Sequence, residues 1–207
     1  MKKTLIFLSA FLLLAFANLT FAQLPQIGPS IQIGASAGYA KYNTDLISGG
    51  LELSSSARYG VVAHLSLPIL PINFVGYYFY APLNTSNDLG TSGNYEYSSS
   101  LSNIGLGIEL PLIPGPIKPY LAADYLITRF GESTFTATPA AGSPSVTNSP
   151  SKSRSGIAFG TGLRFTLFPV IDIDATVKYN MNNLFGKDSG EDTINSTTVM
   201  ATIFVGL

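Results

Sequence analysis

The sequence predicts an all-β chain, an eight-stranded antiparallel up-and-down β-barrel of the transmembrane type, with short turns at one end and long loops at the other. Three observations carry this reading. Apolar residues alternate with small or polar ones in eight segments, the period of a strand with two unlike faces. The connections between these segments alternate long and short, and the strand count is even. The charged residues of the segments gather on the polar face, while the centre of the apolar face has none. In a membrane barrel this distribution puts lipid outside and the charges in the lumen.

The first strand sets Ile31, Ile33, Ala35, Ala37 and Tyr39 against Gln32, Gly34, Ser36 and Gly38. The second sets Tyr59, Val61, Ala63, Leu65 and Leu67 against Arg58, Gly60, Val62, His64 and Ser66, before a turn at Pro68 to Pro71. In the third, Ile72 to Tyr80, both faces are apolar. Placing Asn73 inside turns Ile72, Phe74, Tyr78 and Tyr80 outward. The fourth opposes Ile104, Leu106, Ile108 and Leu110 to Asn103, Gly105, Gly107 and Glu109, and ends in the Pro-rich turn Pro111 to Pro116. The fifth opposes Leu121, Ala123, Tyr125 and Ile127 to Tyr120, Ala122, Asp124 and Thr128. In the sixth, Ile157 to Leu167 faces outward at odd positions, with Ala158, Gly160, Gly162, Arg164 and Thr166 between them. After Pro169 the seventh pairs outward Ile171, Ile173, Ala175, Val177 and Tyr179 with inward Asp172, Asp174, Thr176, Lys178 and Asn180. The eighth alternates Val199, Ala201, Ile203, Val205 and Leu207 with Thr198, Met200, Thr202, Phe204 and Gly206.

Long polar stretches follow the odd-numbered strands, at about 43–57, 83–99, 131–153 and 182–196. The third of these, rich in Ser, Thr, Ala and Pro, reads as a mobile surface loop. Inward glycine suits an eight-stranded barrel, whose narrow interior is filled by side chains. The outward tyrosines Tyr39, Tyr59, Tyr78, Tyr80, Tyr125 and Tyr179 lie toward the loop ends, where an interfacial girdle belongs.

Composition agrees. Of 207 residues only 11% are charged, 46% are hydrophobic, and 20 Gly and 13 Pro supply turns. The 11 Lys+Arg against 12 Asp+Glu form no basic cluster, which argues against nucleic acid as a partner. The absence of Cys excludes disulfides, thiolate metal sites and a cysteine nucleophile. Met1-Lys2-Lys3, the apolar stretch from Leu5 to about Phe16 and the small Ala22 read as a secretory signal peptide, residues 1–22, cleaved to leave residues 23–207 as a single barrel domain.

Charges withdrawn from bulk water need partners. The inward residues Arg58, His64, Glu109, Asp124, Arg164, Asp172, Asp174 and Lys178 carry both signs and read as a structural polar network across the lumen, with Arg164 meeting one or more of the four carboxylates and Lys178 another. Asp172 and Asp174 share a face in cation-site spacing, but Lys178 on the same face is the simpler counter-charge. No metal, cofactor or catalytic residue is assigned.

The whole span from about Ile31 to Leu207 resembles the small outer-membrane barrels of the OmpA and OmpX type of diderm bacteria. The final strand keeps the alternation of that family but closes on Leu207 where those proteins commonly end in an aromatic residue. The resemblance implies residence in the outer membrane, lipid as the surrounding partner, a monomer, long loops able to meet an extracellular ligand, and no enzymatic activity. Three alternatives stand beside it: a small-solute pore, a soluble secreted lipocalin-like barrel, and a lipid-modifying enzyme using His64 and Ser66. Outer-membrane barrels that deacylate lipopolysaccharide use a His-x-Ser pair facing lipid near the outer surface. Here the pair faces inward, beside the Pro68 turn.

Overall fold

The computed structural model describes residues 29–42, 55–67, 70–88 and 93–207. The segment read as a signal peptide and most of the first long stretch lie outside the described residues. Among these residues ten strands form: β1 (Ser30–Tyr42), β2 (Ser55–Ser66), β3 (Asn73–Asp88), β4 (Asn94–Pro111), β5 (Ile117–Phe130), β6 (Ser133–Thr138), β7 (Ser145–Ser149), β8 (Lys152–Phe168), β9 (Ile171–Phe185) and β10 (Asn195–Gly206). Eight of them close a barrel in which every neighbour is antiparallel, in the order β1, β2, β3, β4, β5, β8, β9, β10 and back to β1. Closure is made by β1 against β10, with Gln32 opposite Gly206 and Tyr39 opposite Val199. The Leu207 amide then donates to the Ile31 carbonyl at 2.9 Å.

Side-chain direction follows the alternation. Ile33, Val61, Ile104, Leu106, Phe159, Val199 and Ile203 are exposed on the outer wall, whereas Arg58, His64, Glu109, Asp124, Arg164, Asp172 and Asp174 are buried inside. A water-soluble barrel has the reverse arrangement. In β3, Phe74 and Tyr78 point outward while Val75, Tyr77 and Phe79 fill the lumen. The interior is therefore not wholly polar. Val62, Val75, Tyr77, Phe79, Leu126, Ala158, Met200 and Phe204 form an apolar layer within it.

Both ends of the barrel chain lie at the end that carries the short turns: Ser30 pairs with Ser66 beside one turn, and Gly206 donates to Val170 beside another. The turn between β4 and β5 contains Gly115 at φ 140° and is closed by the Leu112 amide on the Pro119 carbonyl at 2.8 Å.

At the opposite end the polar stretches are more ordered than the sequence suggests. The stretch 83–99 is a continuation of the β3–β4 hairpin, paired from Leu83 and Ser99 up to Asp88 and Asn94. The stretch 131–153, expected to be a surface loop, contains the β6–β7 hairpin. There β6 takes over from β5 as the neighbour of β4, with Tyr97 opposite Phe135, and the handover is marked by the Gly131 amide on the Ser100 carbonyl at 2.7 Å. The physical reason is local. Thr134, Phe135 and Thr136 are strand formers, and the projecting end of β4 offers unpaired backbone groups that a neighbouring strand satisfies. The 182–196 stretch is likewise shortened by β9, which runs to Phe185.

Candidate functional site: the lumen network

The lumen is layered along the barrel axis. At the turn end, Gln32 on β1 donates from Nε2 to Asp172 Oδ2 at 2.7 Å. The next layer is organised by Arg164 on β8. Its Nη2 donates to Glu109 Oε2 at 3.0 Å, its Nε to Asp174 Oδ2 at 3.2 Å and its Nη1 to His64 Nε2 at 2.6 Å. One guanidinium thus binds residues of β2, β4 and β9. Its flat faces meet the rings of Phe204 at 4.8 Å and Tyr120 at 5.4 Å. Tyr120 completes the far side of Asp174 by donating its hydroxyl to Oδ1 at 2.9 Å, and Thr176 hydrogen-bonds the same oxygen. Planar donors in a fixed fork are what allow arginine to hold several acceptors at once.

Above this layer Lys178 Nζ donates to Asp124 Oδ2 at 2.6 Å, and the Tyr77 hydroxyl donates to the same oxygen at 3.1 Å. Lys178 also lies 4.9 Å from the Tyr77 ring centroid. Nearer the loops, hydroxyls and amides replace charges. Asn103 Nδ2 donates to Thr128 Oγ1 at 2.6 Å, and Asn182 Nδ2 to Ser196 Oγ at 3.0 Å. An apolar cap of Ala40, Tyr42, Ala81, Leu83 and Leu101 follows, with Tyr95, Tyr97, Phe130, Phe135 and Ile194 packed against it.

The structure brings Arg164, His64, Glu109 and Asp174 together, and Lys178 with Asp124. It leaves Asp172 with Gln32, and it leaves Arg58 stacked on Phe79 at 4.6 Å. Sequence reasoning placed Tyr120 and Thr176 on the inward face without giving them a part, and it missed Gln32 and Tyr77 as partners. An inward tyrosine directly across from an inward glycine was the available signal.

The geometry decides what His64 can do. Ser66 Oγ lies 3.5 Å from Nδ1 and Glu109 Oε2 lies 3.1 Å from Nε2, a serine, histidine and carboxylate in sequence. The closest neighbour of Nε2, however, is the Arg164 Nη1 donor. Nε2 is thus shared between the Arg164 donor and the Glu109 acceptor within a layer where His64 is buried. Asp172 and Asp174 are held by different partners, and among the described residues no group of three His, Cys, Asp or Glu is arranged to hold a metal ion.

A second cluster lies outside the lumen at the loop end. Arg154 Nη2 donates to Glu191 Oε2 at 2.7 Å and to Asp188 Oδ2 at 2.6 Å. Asn183 Nδ2 reaches Glu191 Oε1 at 3.1 Å, and Asn183 Oδ1 accepts the Ile194 amide at 2.7 Å. These bonds clasp the β9–β10 loop to the start of β8. The Arg154 hydrogen bonds hold the Glu191 carboxyl down to about 2.

No protein-family model and no curated protein matches the chain. Solved structures do. Neisserial surface protein A shares 22% identity, with 86% of this chain and 98% of that one covered at a TM-score of 0.53. This chain has the fold of the small eight-stranded outer-membrane β-barrels. A major outer membrane protein from Thermus thermophilus superposes on the same barrel fold at a TM-score of 0.56, with 11% identity over 86% of this chain and 99% of that one. So does Ail of Yersinia pestis, determined in complex with the heparin analogue sucrose octasulfate, at a TM-score of 0.50 with 14% identity over 86% of this chain and 97% of that one.

Proposed function

We propose that the chain is an integral outer-membrane protein of a diderm bacterium, exported by the signal peptide 1–22, whose residues 23–207 form a single monomeric barrel. Its role is structural or one of surface interaction, exerted through the loop end, and its lumen is plugged. The observation that carries this reading is Arg164, buried at 4% exposure and bonded to side chains from three other strands. A guanidinium fixed in that way spans the interior and leaves no room for solute flux. The hairpins β3–β4 and β6–β7 and the Arg154 clasp project beyond the girdle tyrosines, so they are the parts an extracellular ligand would meet.

The other readings are weaker on physical grounds. A pore needs a wetted path past the Arg164 layer, and eight strands enclose only enough space for side chains. A hydrolase needs a substrate at the His64–Ser66 pair, and here His64 is buried inside the barrel beneath Arg164 and Glu109. A soluble lipocalin-like barrel would not leave Ile33, Val61, Leu106 and Ile203 half or more exposed on its outer wall. The test has two arms. Cell fractionation should place the protein in the outer membrane, and planar-bilayer recording of the purified protein should give no steady conductance. A protein in the soluble fraction, or a stable open channel, overturns the proposal.

A further inference from the structure

Between β2 and β3, β4 and β5, and β8 and β9 the chain runs through residues 67–72, 111–117 and 167–171 without a charged side chain. Leu70, Leu112, Ile113, Ile117, Phe168 and Val170 are exposed there by 43–58%, as much as the residues of the outer wall. The nearest charged side chains on these strands, Glu109, Lys118 and Asp172, belong to the face that looks into the lumen. The backbone is withdrawn from water as well. Pro68, Pro71, Pro111, Pro114, Pro116 and Pro169 have no N–H to hydrate. The Leu70 amide turns back to the Leu67 carbonyl at 3.1 Å, and the Leu112 amide to the Pro119 carbonyl at 2.8 Å. An apolar rim of this kind marks a surface that something covers.

The height of the wall says what covers it. On four strands an outward tyrosine of the loop side stands eight residues from the last outward residue at the turn end: Tyr39 from Ile31, Tyr59 from Leu67, Tyr125 from Ile117 and Tyr179 from Ile171. At a rise of about 3.4 Å per residue and a tilt of about 40°, that separation is roughly 21 Å along the barrel axis. The apolar band of a membrane barrel is about 25 Å tall, with an aromatic girdle at each edge. Here the strands fall short of that height, and among the described residues no tyrosine stands on the outer face at the turn end. The turns supply what is missing. We propose that the rim of Leu70, Leu112, Ile113, Phe168 and Val170 is itself embedded in lipid, packed on the acyl chains beneath the headgroups of the leaflet at the turn end. Wall and rim then form one continuous lipid-facing surface, and an apolar tip whose backbone donors are removed or internally bonded takes the place of a second girdle. A polar segment inserted into such a turn would still reach past the headgroups into water. The inference rests on the outer-membrane reading.

The chain has no tryptophan, so each one introduced reports alone. Ile113→Trp and Val170→Trp probe two separate turns, Leu121→Trp the wall midway between Tyr125 and Ile117, and Ser143→Trp the tip of the β6–β7 hairpin. Each variant is folded into phosphatidylcholine vesicles, with and without lipid brominated near the headgroup end of its acyl chains, and titrated with acrylamide. Both turn tryptophans should lose most of their emission to the brominated lipid and stay shielded from acrylamide, whereas Ser143→Trp should show the reverse. If one turn variant does not fold, the other decides. Turn tryptophans as open to acrylamide as Ser143→Trp would overturn the embedded rim alone, provided that Leu121→Trp is quenched by lipid. Loss of lipid quenching at Leu121→Trp as well removes the membrane reading beneath it. Shielding from both quenchers, together with a cross-linked dimer, would assign the rim to a second copy of the chain and overturn lipid as its cover. Tryptophan itself favours the interface, so a charge is the second measurement. Ile113→Asp should insert into the vesicles in lower yield than Ser143→Asp, and equal yields would overturn the proposal.

Discussion

The ring of Tyr77 lies across Gly105, its cross-strand partner on β4, so closely that a Cβ at position 105 would stand 2.1 Å from the phenol Cζ. Tyr120 covers Gly162 in the same way, with its Cζ 2.3 Å from such a Cβ. Each missing side chain is replaced by an aromatic ring from the next strand, which brings a hydroxyl to a lumen carboxylate. Gly105→Ala should therefore destabilise the barrel by about 1–3 kcal/mol through overpacking. Combining it with Tyr77→Ala should cost less than the sum of the two changes. Urea unfolding in detergent micelles measures both, and strict additivity would show that the ring does not depend on the glycine.

Arg164→Met strands Glu109 and Asp174 without their cation and should cost roughly 3–5 kcal/mol where the pair is fully desolvated. Exchanging Arg164, Glu109 and Asp174 together for apolar residues of similar volume should cost much less. In double-mutant cycles, coupling should be large for Arg164 with Glu109 or Asp174. It should be small for Arg164 with Asp124, whose partner is Lys178.

Ala175 is exposed on the outer wall of β9. If it lies near the bilayer midplane, Ala175→Arg should destabilise the lipid-embedded protein by about 2–4 kcal/mol. Ser143→Arg, at the exposed tip of the β6–β7 hairpin, is the control and should have little effect. Equal stability of the two variants in lipid vesicles would contradict a lipid-facing wall.

The Arg154–Glu191 clasp gives the loop end a pH dependence. The Glu191 carboxyl is held to about 2 in the folded protein, against an ordinary value of 4.5. A folded value below the unfolded one means that the clasp stabilises fully above the ordinary value and loses its contribution as pH falls through about 2. Amide exchange at Ile194, the neighbour bonded to Asn183, should be protected at pH 6 and lose that protection toward pH 2. Glu191→Gln should remove most of this dependence.

A protease site inserted at Ser143 should be cut on intact cells, whereas one at Ile113, in the β4–β5 turn, should be cut only after the outer membrane is opened. The reverse pattern would invert the topology.

The barrel was legible because its wall has two unlike faces, and alternation records that difference residue by residue. Where both faces meet the same medium the signal fails. In β3, Val75, Tyr77 and Phe79 are apolar on the inside as well, so only Asn73 pointed to the register. Beyond the girdle tyrosines both faces of β3, β4 and β6 meet water, and Ser, Thr and Asn there read as loop although they pair as strand. The set of lumen charges was also visible, but not who meets whom. That depends on how far neighbouring strands are staggered around the barrel, which gives Asp172 to Gln32 on the closing strand and leaves Arg58 beside an aromatic ring.

The pairing of β1 with β10 has a consequence for assembly. Residue 32 meets residue 206, so the contact that completes the structure is nearly the longest the chain can make, and long-range pairing of this kind is slow. Until the last strand arrives, any growing sheet has two unpaired edges and one greasy face, both invitations to aggregate in water. The chain cannot mature piecewise as it is synthesised. On the outer-membrane function proposed above, it would have to be kept unpaired across the aqueous space it traverses and zipped shut only where lipid receives its outer wall. A chain truncated before Asn195 would not be a smaller barrel but an open ribbon, and quality-control proteases should find it first.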